Sequence, residues 1–137
     1  MSNQEVQYRI QQMGKELIPE GAQLYLYGSR ARGDNRPDSD WDLLVLLPKD
    51  SITPDDYAHI SYPFTELGWK LSQSINPIMY TQKEWKQNNF TPFYHNVQHD
   101  AVRLQWNAQP ARDFLAEVKR QLASWFVNKE KQLTFNC

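Results

Sequence analysis

The chain has 137 residues, 40% of them hydrophobic, which fits one domain able to bury a core without staples. Lys and Arg total 15 against 16 Asp and Glu, so a net charge of −1 excludes a whole-chain field for gripping a nucleic-acid backbone, and any polyanion needs a local site. The single cysteine, Cys137, excludes an intrachain disulfide and a cysteine metal cluster; with no apolar leader and no run of about 18 apolar residues, a soluble cytoplasmic protein off the membrane is expected. In chain order, Val6, Ile10, Met13 and Leu17 recur at helical spacing until Pro19-Glu20-Gly21 breaks the pattern, predicting an amphipathic first helix and a turn. A strand is expected from Ala22 to Tyr27. A second, Trp41 to Leu47, is rich in Leu and Val and bounded by Pro48, as a buried central strand would be.

Thr53-Pro54-Asp55-Asp56 combines a capping hydroxyl, a proline suited to the first helical position and acids that favour the positive end of a helix dipole. A helix starts there, and Pro63 is expected to divide it in two, with Phe64, Leu67 and Leu71 facing inward on the second piece. Ile75 to Tyr80 is a third strand, which Pro77 confines to an edge or a bulge. Thr81 with Glu84 three residues on makes a capping box, and Thr91-Pro92 repeats the cap-then-proline signal, so two short helices follow. A strand around Val102 to Gln105 comes next. Phe114, Leu115, Val118, Leu122 and Trp125 then mark an amphipathic helix. The expectation is a single α/β (α+β) domain over 1–137, a small mixed sheet covered by helices, with a helical extension from about residue 108.

The stretch LYLYGSRARGDNRPDSDWDLLVLL, Leu24 to Leu47, places a polar insert between two apolar runs. Glycine at a strand end allows close backbone approach, and Ser29 after it is placed to cap a helix beginning with Arg30-Ala31-Arg32, whose first amides would face a phosphate. Side chains alternate along a strand, so Asp40 and Asp42 point to one face and Trp41 to the other. Two carboxylates on one face are costly unless cations or protons neutralise them. Mg²⁺, or Mn²⁺ in its place, suits them, because it takes oxygen ligands and enters sites already bound to substrate phosphates. Arg30, Arg32 or Arg36 would add positive charge.

Gly28-Ser29, ten residues, then Asp40-Trp41-Asp42 resembles the signature of the DNA polymerase β-like nucleotidyltransferase superfamily. GSRARG, a variable loop and Ser39-Asp40-Trp41-Asp42-Leu43 look in particular like its minimal, stand-alone bacterial branch. The resemblance implies that Asp40 and Asp42 bind divalent metal, and that Gly28, Ser29, Arg30, Arg32 and Ser39 form the nucleotide site. A nucleoside monophosphate, AMP from ATP being the leading case, would pass to an acceptor hydroxyl with release of pyrophosphate. Catalysing members carry a third acid on the next core strand, and aligning that pattern to INPIMYT puts Asn76 in its place. A neutral carbonyl holds Mg²⁺ less firmly than a carboxylate, so losing that acid should spare nucleotide binding more than transfer. Glu66 and Asp100 are candidate replacements, though each also reads as a surface charge.

Proteins resembling this branch are often encoded beside a helical HEPN toxin, some adding AMP to a tyrosine of it. A protein acceptor therefore leads over nucleic acid, a homo-oligomer stays open, and the rival function is a weakly active or inactive nucleotide-binding module that acts as an antitoxin by contact. His95 and His99 have a chelating spacing without a third ligand and read as exposed helix residues. Tyr27 and Trp41 read as core or supporting groups before base-stacking platforms.

Overall fold

In the computed structural model, which describes residues 1–106, a four-stranded mixed sheet in the order β3-β2-β1-β4 organises the chain. The elements run α1 (Asn3–Leu17), β1 (Gln23–Tyr27), α2 (Ser29–Arg32), β2 (Trp41–Leu47), α3 (Pro54–Asp56), a π-helical stretch (Tyr57–Ser61), α4 (Tyr62–Leu71), β3 (Ile75–Thr81), α5 (Gln82–Gln87), α6 (Pro92–Asp100) and β4 (Val102–Arg103). Met1–Gln105 form one compact unit. The expected extension from about 108, with Phe114 to Trp125, lies outside the described residues. Among the described residues no helix is long and apolar enough to cross a membrane.

β1 runs antiparallel to β2, with Tyr27 opposite Asp42, and β2 runs parallel to β3, with Asp42 beside Asn76. Alternation therefore sends Tyr27, Asp42 and Asn76 to one face, and Leu24, Leu26, Leu43 and Val45 to the other. On the first face Leu44 and Leu46 form a cluster with Trp85 of α5 and Val97 of α6, ringed by Tyr25, Tyr27, Ile78, Tyr80, Phe93 and Tyr94. On the second, α4 packs on β3 and against α1. A side chain at Gly68 of α4 would meet the Gln73 carbonyl oxygen at 2.7 Å and Ile75 Cγ1 at 3.2 Å, so the absent Cβ lets helix and strand close together.

The hydroxyl of Ser2 caps α1, Thr53 and Thr81 form full capping boxes with Asp56 and Glu84, and Thr91 caps α6. Pro77 sits on the edge strand, as its missing N–H requires. Pro63 does not divide the helix after Thr53: the backbone stays helical from Pro54 to Leu71, and the turn just before the proline widens to the π form. That wider turn shifts the hydrogen-bond ladder where proline has no donor to supply, and the ring is accommodated within the first two positions of α4. Phe64 and Leu67 face inward as expected, whereas Leu71 is only partly buried. The last strand is shorter than expected: Val102 and Arg103 form the ladder with β1, and the Leu104 amide adds one bond to the Leu24 carbonyl at 2.9 Å.

Candidate active site

β1 ends at Tyr27, and the chain turns through Gly28 at φ 78 into the single turn of α2. Position 28 demands glycine twice over. Its backbone is left-handed, and a Cβ there would stand 2.6 Å from Asp42 Oδ2. The Asp42 carboxylate thus lies directly against the Gly28-Ser29 turn. Gly28 itself occupies the cap position, without a side-chain cap, and Ser29 is the first helical residue. This corrects the expectation that Ser29 caps α2: the glycine carbonyl already accepts from the amides of Ala31 and Arg32, so the hydroxyl is not used in that role. Gly33, also left-handed, closes α2.

Asp42 is partly buried and Asp40 is exposed just before the strand begins. Burial, and next the charge of Asp40, raise the Asp42 carboxyl above its ordinary value, while the Asn76 side-chain amide, at hydrogen-bonding reach, opposes the rise. The two carboxylates therefore feel each other's charge. Among the described residues neither takes part in an ion pair. A partly desolvated carboxylate with a second acid beside it and no protein cation is a donor set suited to a hard divalent ion, so the fit to Mg²⁺ or Mn²⁺ is good at two ligands. Among the described residues no cluster of three acidic, His or Cys side chains forms a metal cage.

Asn76 is exposed and in register with Asp42, the place expected for the aligned third position. Glu66 lies on α4, on the opposite side of the sheet, and approaches Lys70 at 3.6 Å. Asp100, at the end of α6, bonds to Arg32 at 2.7 Å and to His99 at 3.0 Å. Those two partners hold its carboxyl below the usual range, His99 having the larger effect. His95 and His99 are both exposed.

The structure separates the two arginines of the motif. Arg32 is solvent-exposed and bridges Asp34 and Asp100. Arg30 is buried, at 8% exposure, and lies 4.5 Å from the Trp41 ring centroid. It donates to the carbonyls of Pro37 and Ser39 and to Asn3 Oδ1 of α1. Trp41 points away from Asp42, so the Arg30 guanidinium lies on the far side of the strand from the carboxylates. Ser39 accepts from the Arg36 amide through its hydroxyl at 2.8 Å, shaping the loop. Tyr27 lies in register with Asp42, half-buried beside the turn. Burial, then Asp42 and Tyr80, push its phenol up to about 12, and its ring meets Phe93 edge to face at 5.7 Å. Strand alternation placed Tyr27 beside Asp42 once the antiparallel register was known, whereas nothing in the sequence signals the Asn3 contact.

The nucleotidyltransferase domain family matches residues 9–104, which include the turn, both acids and all four strands. The chain belongs to that family. Its fold is that of a toxin–antitoxin crystallised with AMP-PNP, at a TM-score of 0.52 and 16% identity, covering 93% of this chain and 94% of that one. A mutant of the MntA–HpeT toxin–antitoxin gives 0.51 at 16% identity over 98% and 96% of the two chains. A looser likeness, 0.48 at 17% identity over 96% and 93%, is a tri-AMPylated Shewanella oneidensis HEPN toxin in complex with MNT antitoxin. No curated protein matches the chain in sequence.

Proposed function

We propose that this nucleotidyltransferase-family chain transfers AMP from ATP to a hydroxyl of a protein partner, a tyrosine of a small helical toxin being the leading acceptor. The observation that carries the reading is the seating of Asp42 against the Gly28-Ser29 turn, with the charge of Asp40 felt beside it. Family membership supports the reaction class. The fold shared with toxin–antitoxin chains, one of them crystallised with AMP-PNP, supports ATP and a toxin as the two substrates.

Asp40 and Asp42 would hold the divalent ion, which when bound neutralises phosphate charge and polarises the α-phosphate toward attack. Gly28 brings its backbone close enough for the phosphate tail to lie along the turn, because no Cβ stands between it and Asp42. The acceptor hydroxyl gives its proton to solvent as its oxygen forms a bond to the α-phosphorus, and the bond from that phosphorus to the bridging oxygen breaks to release pyrophosphate. Asn76 contributes a neutral amide where a third carboxylate would stand, so the chain's own residues favour nucleotide retention over activation of the acceptor. The near-neutral net charge of −1 argues for a protein acceptor over a nucleic acid.

The same Asn76 favours a second reading, in which the chain binds nucleotide and restrains its partner by contact alone. Incubation with Mg²⁺, labelled ATP and the helical partner separates the two. Covalent label on the partner with the native chain, and none with Asp40→Ala or Asp42→Ala, is the expected result. Absence of label with the native chain leaves contact alone, and label persisting in both variants removes Asp40 and Asp42 from the site.

A further inference from the structure

Arg30 is a full positive charge placed under the sheet, and its surroundings explain the cost of putting it there. A buried guanidinium needs its donors satisfied in a fixed geometry. Here Nε and Nη2 both reach the Ser39 carbonyl, at 3.3 and 3.0 Å, Nη2 also reaches the Pro37 carbonyl at 3.1 Å, and Nη1 reaches Asn3 Oδ1 at 2.9 Å. The plane lies 4.5 Å from the Trp41 ring, a cation–π contact. Two of these contacts end on the Ser39 carbonyl, in the peptide that immediately precedes Asp40, a third ends on the Pro37 carbonyl two residues earlier, and the stacked ring belongs to the residue that immediately follows Asp40. One side chain therefore holds the backbone before Asp40 and the indole ring after it. Trp41 is fixed in turn by its indole N–H on Gln73 Oε1 at 3.0 Å and by its amide on the Ser74 carbonyl at 2.8 Å. Because Trp41 and Asp42 project to opposite faces, Arg30 works from the side away from the carboxylates and touches neither.

We infer that Arg30 is a positioning residue that sets the separation of Asp40 and Asp42 from behind the strand, and that Asn3 of α1 belongs to the same clamp. The inference rests on the metal–nucleotide reading of the site and deepens it. It moves Arg30 from phosphate contact to support of the metal ligands, and it brings into the site's machinery a residue on α1. Asp40 stands at a loop end, so without the clamp its carboxylate would sample positions too far from Asp42 to share one ion. Lysine cannot reproduce the fork or the stack, since it offers a point charge on a flexible stem.

The test uses the full chain, Mn²⁺ and ATP, with free Mn²⁺ followed by its paramagnetic resonance signal. Arg30→Lys should raise the Mn²⁺ concentration for half-saturation about tenfold, as loss of a ligand-supporting contact does. Asn3→Ala, which removes a single contact far from any phosphate, should raise it less but in the same direction. ATP binding without metal should be unchanged in both, and far-ultraviolet circular dichroism should confirm folding. Unchanged half-saturation in Asn3→Ala overturns the clamp, and this variant decides the matter if Arg30→Lys does not fold. Loss of metal-free ATP binding in Arg30→Lys alone overturns it in favour of direct phosphate contact. A native chain that fails to take up Mn²⁺ with ATP removes the metal–nucleotide reading itself, and the clamp's purpose with it, and that failure is seen before any variant is made.

Discussion

On one face of β2 the side chains of Leu43, Val45 and Leu47 are completely buried, whereas the other face runs from partly buried Asp42 through Leu44 to Leu46 under a ring of aromatic side chains. Both faces belong to the same seven residues, yet they meet different partners. The first is closed by packing alone, and deleting volume there should cost stability. The second opens at its beginning onto the Gly28-Ser29 turn, and changes there should cost chemistry first. A single strand can thus anchor the core and present a carboxylate because alternation keeps the two tasks on separate sides.

The largest expected effect falls on the closed face. Phe64→Ala should destabilise the chain by about 3–5 kcal/mol in chemical denaturation while leaving Mn²⁺ uptake unaltered under folding conditions. Weakened metal uptake at unchanged stability would break the division between the faces. On the open face, Gly28→Ala should cost roughly 1–3 kcal/mol through its left-handed backbone and displace Asp42, so labelling of the partner should be lost while the chain still folds. Normal labelling would show that Asp42 need not touch the turn. Asn76→Asp should sharpen the comparison in the opposite sense, raising transfer several-fold and strengthening metal uptake; an unchanged rate removes position 76 from the site. The smallest effect belongs to Tyr27→Phe. The native phenol holds its proton to about 12 against an ordinary 10.0. Between those values the folded chain binds a proton that the unfolded chain has released, and stability falls as pH rises through that window. Denaturation midpoints followed across it should fall less steeply in Tyr27→Phe than in the native chain, with parallel curves below about pH 10.

Much of this was legible from local chemistry. The cap-then-proline at Thr53 and the capping box at Thr81 name their own helices, Pro77 announces an edge or a bulge, and the run from Trp41 to Leu47 reads as a buried strand. The facing of Asp40 and Asp42 follows from period two. Pro63 misleads because a proline reports a missing donor and a bulky ring, while the helix decides whether a wider turn absorbs both. Arg30 misleads for a different reason. In a motif rich in phosphate-binding associations an arginine reads as a phosphate ligand, but its direction depends on which side of β2 it reaches, and its partner Asn3 is separated from it by the whole of α1 and β1. The shortness of β4 was likewise hidden, since the ladder with β1 covers only Val102 and Arg103 and no residue between Val102 and Gln105 records that.

β2 and β3 run in the same direction, so the chain leaves the sheet at the far end after Leu47 and must come back before it can lay Ile75 beside Trp41. The helical segment from Pro54 to Leu71 makes the return, and its last link to β3 is short, Ser72 to Ser74, begun by a serine in a left-handed conformation and tied down by the Trp41 amide on the Ser74 carbonyl. That link behaves as a gauge. One residue added to it would slide β3 by a step, bring Ile75 beside Asp42 in place of Asn76, and turn every alternate side chain of the edge strand over. Spacing in that brief connector governs what stands next to the aspartate as strictly as the identity of residue 76 does, whereas length changes beyond Leu47, at the other end of the sheet, leave that neighbour untouched.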